Sequence, residues 1–475
     1  MCRRALVLAV SMVLAAAAAG RAGEARMFNV RDFGAKGDKQ TVDTAAIQAA
    51  LDACAKAGGG VVRLPAGDYL SGNLRLRSGV TLHVAKGATL WASTNPAHYK
   101  GSSKVLNAED AARVTVEGEG EINGQATGDY GDRWGQPKRP AFRTGILLFH
   151  RCKDVAVRGV TIRYSDSWTL HFKRCENVRV DGVTIRNNYR RLNSDGIDPN
   201  MCRNVRITGC NIVAGDDCIV LKATEAEPCQ DVEVTDCVLE SAASAIKLGT
   251  ESHGDFRNIR FARCTIRNSF TGIGFYLKDG GTMERVRFQG IRIESCPETV
   301  RTVTPIFMDI ERRHKDSKVG TIRDVVFDDV AIRSGSGVLI QGMPESPIRD
   351  LVLTNIRFHV ERPDDYAKRH KPVGGRRTLG NQRDTEFARL PAYVTLAHVR
   401  NLRLDGLTLS VAPEAVKAFD RSAMCGRHLH GGAVTGVRQT PEPESGRRPV
   451  LDLQHCEAVR VDAEPMVPHP RPGHP

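Results

Sequence analysis

Cys175, Cys202 and Cys229 stand 27 residues apart, and so do Cys210, Cys237 and Cys264. Around them one phrase recurs: CKDVAVRGVTI from Cys152, CENVRVDGVTI from Cys175, CRNVRITGCNI from Cys202 and CQDVEVTDCVL from Cys229. Copies without the first cysteine begin at Phe256, Met283, Ile322, Ile348 and Val399, and a degraded copy, CEAVRVD, begins at Cys456. Each copy alternates apolar and polar residues and is rich in Val and Ile, the pattern of a short strand with one buried face. A unit this short cannot bury that face alone. Stacking successive units into a coil solves the problem, so the spacing predicts an all-β fold, a single-stranded parallel β-helix whose equivalent residues form interior ladders. Propeller blades need longer repeats, and leucine-rich repeats need a different signature. The cysteines then read as small apolar ladder residues rather than as a disulfide framework.

An open coil exposes its terminal core and strand edges, and one segment is suited to cover them. Asp43 to Lys56 is the one convincing amphipathic helix, closed by Gly58, Gly59 and Gly60. The β-helix is expected over residues 26–462, with insertions at 359–398 and 410–447 interrupting the rungs and a Pro-rich, disordered tail over 463–475. Residues 1–25, MCRRALVLAVSMVLAAAAAGRAGEA, set two arginines before an apolar run and small residues, the layout of a secretory signal. The expected location is therefore extracellular or periplasmic. No later stretch is long and apolar enough for a membrane span.

The chain carries 68 Lys+Arg against 55 Asp+Glu, a formal net charge of +13. That balance favours an acidic partner. The basic residues are dispersed, with no dense run interleaved with aromatics, so an acidic polysaccharide fits better than nucleic acid. The expected partners are a polysaccharide substrate, no nucleic acid and no membrane, with the protein a monomer.

Three carboxylates are placed by the repeat itself: Asp195 in LNSDGIDP, and Asp216 with Asp217 in AGDDCIVLK. Asp195 and Asp217 each stand two residues before an isoleucine, Ile197 and Ile219. If Ile197, Ile219, Ile246 and Ile273 form one interior ladder, the acids lie on adjacent rungs and share a patch. Clustered carboxylates repel, which raises at least one pKa and supplies a neutral acid beside ionised bases. Glycoside hydrolysis needs that pairing. Asp198 reads as a turn-favouring residue. No cofactor or metal is expected, since no His/Cys cluster has zinc-like spacing.

NSDGID followed by GDDC resembles the signatures of glycoside hydrolase family 28, the polygalacturonase-like, pectin-active right-handed parallel β-helices. WTLHF from Trp168, GTESHGDF from Gly249 and the run FNVRDFGAKGD from Phe28 are similar too. The resemblance implies an inverting hydrolysis in which Asp216 protonates the leaving oxygen while Asp195 and Asp217 activate water. It gives Asn193 a part in holding the site or the substrate. The chain also departs from the family pattern. Ser244 stands where the family has a histidine, with His253 nine residues further on. Gly274 and Tyr276 replace the arginine and lysine that bind galacturonate. Lys247 and Lys278 are the candidates to restore the lost cation, and Tyr276 offers a stacking face. The departures point away from a strict endo-polygalacturonase, toward rhamnogalacturonan or chain ends. A polysaccharide lyase and a non-catalytic glycan-binding β-helix are the alternatives.

Overall fold

The computed structural model describes residues 26–128, 141–295, 304–361, 387–412, 421–441 and 448–462. The expected signal segment and Pro-rich tail lie outside the described residues. Strands follow one another from Met27–Asn29 to Glu457–Val461 and pair in parallel with the equivalent strand of the next turn, forming a right-handed β-helix. Each turn contributes to three faces. The recurrent phrases form the first, as in Glu176–Asp181 and Arg203–Thr208. Short strands such as Thr184–Arg186 and Asn211–Ala214 form the second. Ile197–Asn200, Ile219–Ala223, Ser244–Ser252 and Thr271–Leu277 belong to the third.

The periodicity works through register. Ile197 pairs with Ile219, Ile219 with Ile246 and Ile246 with Ile273, and all four are fully buried. On the first face Phe261, Phe288 and Phe327 stack with rings nearly parallel, at 5.2 and 4.8 Å. Each such side chain contributes roughly 1.5–3 kcal/mol through burial. The cysteine columns lie in the same core, and every described cysteine is a free thiol.

The third residue of the phrase explains itself sterically. Asp154, Asn177, Asn204, Asp231 and Asn258 all have φ between 54° and 57°, the left-handed region that Asn and Asp tolerate best. Their side chains also bond from rung to rung, Asn177 Nδ2 donating to Asp154 Oδ1 at 2.6 Å and Asn258 Nδ2 to Asp231 Oδ1 at 2.7 Å.

The capping helix, α1, spans Thr44–Lys56 and turns Ile47, Ala50, Leu51 and Cys54 onto the open end of the core. Asp43 stands just outside it. Its carboxylate accepts from the backbone N–H groups of Lys36 and Gly37, at 2.7 and 2.9 Å, and ties the preceding loop to the helix start. Gly59 follows the helix with φ 109°, and a Cβ there would lie 2.6 Å from the Gly79 carbonyl oxygen, so only glycine permits this approach.

The interruption expected at 410–447 is not one. Ser422–Thr440 forms a full strand paired in parallel with Ala392–Val411. Its phrase is obscured because Gly431 and Gly432, both at positive φ, occupy positions where other turns carry Asn, Asp or an apolar residue. Among the described residues no helix is long and apolar enough to cross a membrane.

Candidate active site

Asp195, Asp217 and Ser244 occupy equivalent places, two residues ahead of the stacked Ile197, Ile219 and Ile246. The Gly196 N–H donates to the Asp217 carbonyl at 2.9 Å, locking the two acid-bearing turns together. Asp195 and Asp217 are each 2% exposed, while Asp216 is half-buried. Asp216 Oδ2 accepts the Asn193 backbone N–H at 2.8 Å, and Asp217 Oδ1 accepts that of Ser244 at 3.1 Å. The family's histidine position thus contributes a main-chain donor. Asn193 adopts φ 57°, and its Oδ1 accepts from Arg143 Nη1 at 3.2 Å, so this residue is built into the wall that orients Asp216.

The register brings in a fourth acid. Asp198 is fully buried on the outward side of its strand, in register with His171. This corrects its reading as a turn residue. Asp198 follows the interior Ile197 by one position, and side chains alternate along a strand, so it has to face outward beside the trio. Burial pushes the Asp198 carboxyl up to about 7, against the pull of Lys222 and Lys104. Burial, then the charges of Asp198 and Asp216, push Asp195 well above the ordinary carboxylate range. Asp195 Oδ1 and both Asp198 carboxyl oxygens are buried without an N–H or hydroxyl donor among the described residues.

Two lysines, Lys222 buried and Lys247 half-buried, answer this negative charge. Lys222 Nζ lies 3.9 Å from Asp195, 3.8 Å from Asp198 and 3.3 Å from Glu251, and 4.6 Å from the centre of the Trp168 ring. Burial works against its charge, yet Asp195, Asp198 and Glu251 outweigh it and raise its pKa. Lys247 Nζ bonds Asp217 Oδ2 at 2.8 Å. Burial again opposes the ammonium, and Asp217 and Asp216 hold it well above its ordinary value. Glu251 is half-buried, and burial works against its charge, but Lys222 and Lys247 keep it ionised, at about 2. Lys104 is the exception. Burial brings it down to about 8 despite Asp198 and Asp195, and its ammonium donates to the Trp168 carbonyl. Burial, then Lys104 and Lys222, keep His171 well below its usual pKa, so its imidazole is neutral; its ring meets Trp168 edge-on at 4.8 Å.

Lys222, Glu251, Lys104 and His171 did not stand out in the sequence. Strand parity was the available signal: Lys222 follows the interior Leu221 as Asp198 follows Ile197.

The other candidates separate. The Tyr276 ring folds back over Gly274, where an added Cβ would lie 2.5 Å from Tyr276 Cε2. Lys247 Nζ lies 5.3 Å from the centre of that ring, and Phe307 packs beside it at 5.1 Å. Glycine at 274 and tyrosine at 276 are therefore one change: the ring fills the space where a side chain at 274 would start. Lys278 is turned to Glu311. His253 is 54% exposed with Nε2 3.8 Å from Asp279, a residue that is itself clamped by Arg313 at 2.8 Å. Neither bonds an aspartate of the trio.

Solved structures similar to the chain include a hyperthermoactive exopolygalacturonase from Thermotoga maritima, at 21% identity and TM-score 0.63 over 80% of this chain and 93% of that one. A family 28 exopolygalacturonase from Yersinia enterocolitica matches at 19% identity and TM-score 0.65, over 93% and 79%. Among curated proteins, an exo-poly-alpha-D-galacturonosidase of Dickeya chrysanthemi is 42% identical over 82 residues, 17% of this chain and 13% of that protein. Alginate lyase 7 of Azotobacter vinelandii is 69% identical over 42 residues, 9% of this chain and 5% of that protein. The chain thus spans far less than two thirds of the length of these curated relatives. The model of the glycosyl hydrolases family 28 matches residues 54–369, and with two thirds of its length covered the chain belongs to that family.

Proposed function

We propose that the protein is an exported glycoside hydrolase that cleaves a pectin-like or other acidic polysaccharide with inversion, using Asp195, Asp216 and Asp217. The observation that carries this reading is the meeting of the three acids on adjacent turns, with Asp217 paired to Lys247. Asp217, ion-paired with Lys247 and bonded by the Ser244 N–H, is a carboxylate fitted to take a proton from water. Asp195 and Asp198 retain protons that an isolated carboxyl would lose. Asp216, the most exposed of the group, is the member that reaches the leaving oxygen and delivers a proton to it. Water attacks the anomeric carbon from the opposite side, its proton passing to Asp217 while Asp195 stands beside it, and the glycosidic C–O bond breaks as the leaving oxygen takes the proton of Asp216.

Specificity turns on the Tyr276 ring. With Lys247 engaged by Asp217 and Lys278 by Glu311, the cations suggested as substitutes for the family's arginine and lysine are already committed. Plain polygalacturonate is accordingly a poorer substrate than a glycan with a neutral sugar at that subsite, such as a rhamnogalacturonan. The relatives named for exo-acting enzymes support action at chain ends. Reducing-end release across a panel of pectic and other acidic glycans tests the proposal. Wild type releases ends, and Asp216→Asn lowers the rate by at least about a hundredfold, the scale of a lost general acid. Products that absorb in the ultraviolet would show an unsaturated sugar and favour a lyase instead.

A further inference from the structure

The first face of the coil carries a feature that the acidic site does not use. A groove of about 780 Å³ runs from the glycines behind α1 across several turns of this face, with Arg113, Arg158, Arg179 and Arg206 among its lining residues. Arg179 and Arg206 are exposed and stand in direct register on neighbouring strands. Among the described residues Arg113, Arg179 and Arg206 make no ion pair and no side-chain hydrogen bond. Further along the same column the charges are neutralised, Arg260 by Glu233 at 2.9 Å and Arg287 by Asp324 at 2.6 Å. Within the groove Arg158 has Asp181 at 3.5 Å, and Asp154 accepts the Asn177 amide. Arg113, Arg179 and Arg206 thus keep their guanidinium groups outside any ion pair, although Glu233 stands in register beside Arg206 and Asp154 shares the groove lining with Arg113. Neighbouring parallel strands lie about 4.8 Å apart, a step comparable to one sugar ring of an extended chain. A guanidinium binds a carboxylate through two parallel hydrogen bonds.

We propose that this groove is a second, non-catalytic binding site for a linear polyuronate, which it holds on a face of the coil other than the one that bears the trio. The choice of ligand rests on the reading of the substrate as an acidic polysaccharide.

Affinity electrophoresis of the full chain, in gels containing polygalacturonate or a neutral galactan, tests it. Polygalacturonate should retard the protein and galactan should not. Arg179→Gln/Arg206→Gln should weaken retention about tenfold or more, the scale of two lost charged hydrogen bonds. Arg179→Lys/Arg206→Lys, which keeps the charge, should recover part of it. Asp217→Asn should be retained like wild type. Arg349→Gln/Arg400→Gln removes the same charge from another exposed, stacked pair outside the groove and should change little. Equal losses in the two arginine pairs would reduce the effect to net charge and overturn the proposal, as would unchanged retention of Arg179→Gln/Arg206→Gln or loss of retention in Asp217→Asn. Retention that depends on the groove, with no cleavage of any glycan, would instead sink the hydrolase reading and leave the groove standing.

Discussion

Replacing Lys247 by glutamine separates two roles for this lysine, substrate ligand and partner of the catalytic base. The ammonium bonds Asp217 Oδ2 at 2.8 Å, with Asp217 buried and Lys247 half-buried. A hydrogen bond between charged groups contributes about 1.5–3 kcal/mol, and about 1.4 kcal/mol corresponds to a tenfold change in rate. Without the cation the base loses that partner, and kcat should fall about tenfold to a hundredfold with KM little changed. Initial rates of reducing-end release, measured at several glycan concentrations, separate kcat from KM. A substrate ligand gives the opposite pattern, a raised KM with kcat in place. That pattern would refute the assignment of Lys247 to Asp217.

The buried Asp198 predicts a pH-dependent stability. Its carboxyl is raised from its unfolded value of about 3.9 to about 7 in the fold, so its contribution is fully present below about pH 4 and is lost as pH rises through 7. Asp198→Asn should therefore melt higher than wild type at pH 8, with the gap closing toward pH 5; a gap independent of pH would contradict the burial argument. Gly274→Ala should displace the Tyr276 ring and raise KM for the preferred glycan much as Tyr276→Ala does, and the double variant should be no worse than either single one, since contacting residues are not additive. Full additivity would show that ring and glycine are not one unit. Ile219→Ala, in the middle of the interior ladder, should cost about 2–5 kcal/mol in denaturant unfolding. Chelation with EDTA should leave hydrolysis intact, because Lys222 and Lys247 already supply the counter-charge of the acid cluster; loss of activity restored by calcium would favour the lyase reading.

Much of this architecture is local enough to be legible in the chain. The 27-residue spacing and two-residue alternation specify which side chains face inward, because a turn of this length can bury its apolar face only against its neighbours. Once the interior isoleucines are aligned, Asp195 and Asp217 must fall on adjacent turns. The third residue of most copies is Asn or Asp because the backbone there turns left-handed. Tertiary structure decided the electrostatics. Asp198 looked like a turn residue until burial, against the pull of Lys222 and Lys104, changed its protonation. Lys222, Glu251 and His171 come to the site from separate turns, and their charge states depend on distances and desolvation that no spacing encodes. Lys247 could be placed near the site by counting, but only the 2.8 Å bond shows that it serves Asp217. The rung over Ser422–Thr440 was hidden for a related reason: register imposed by the strand beneath it outweighs a local sequence in which glycines replace the usual turn and ladder residues.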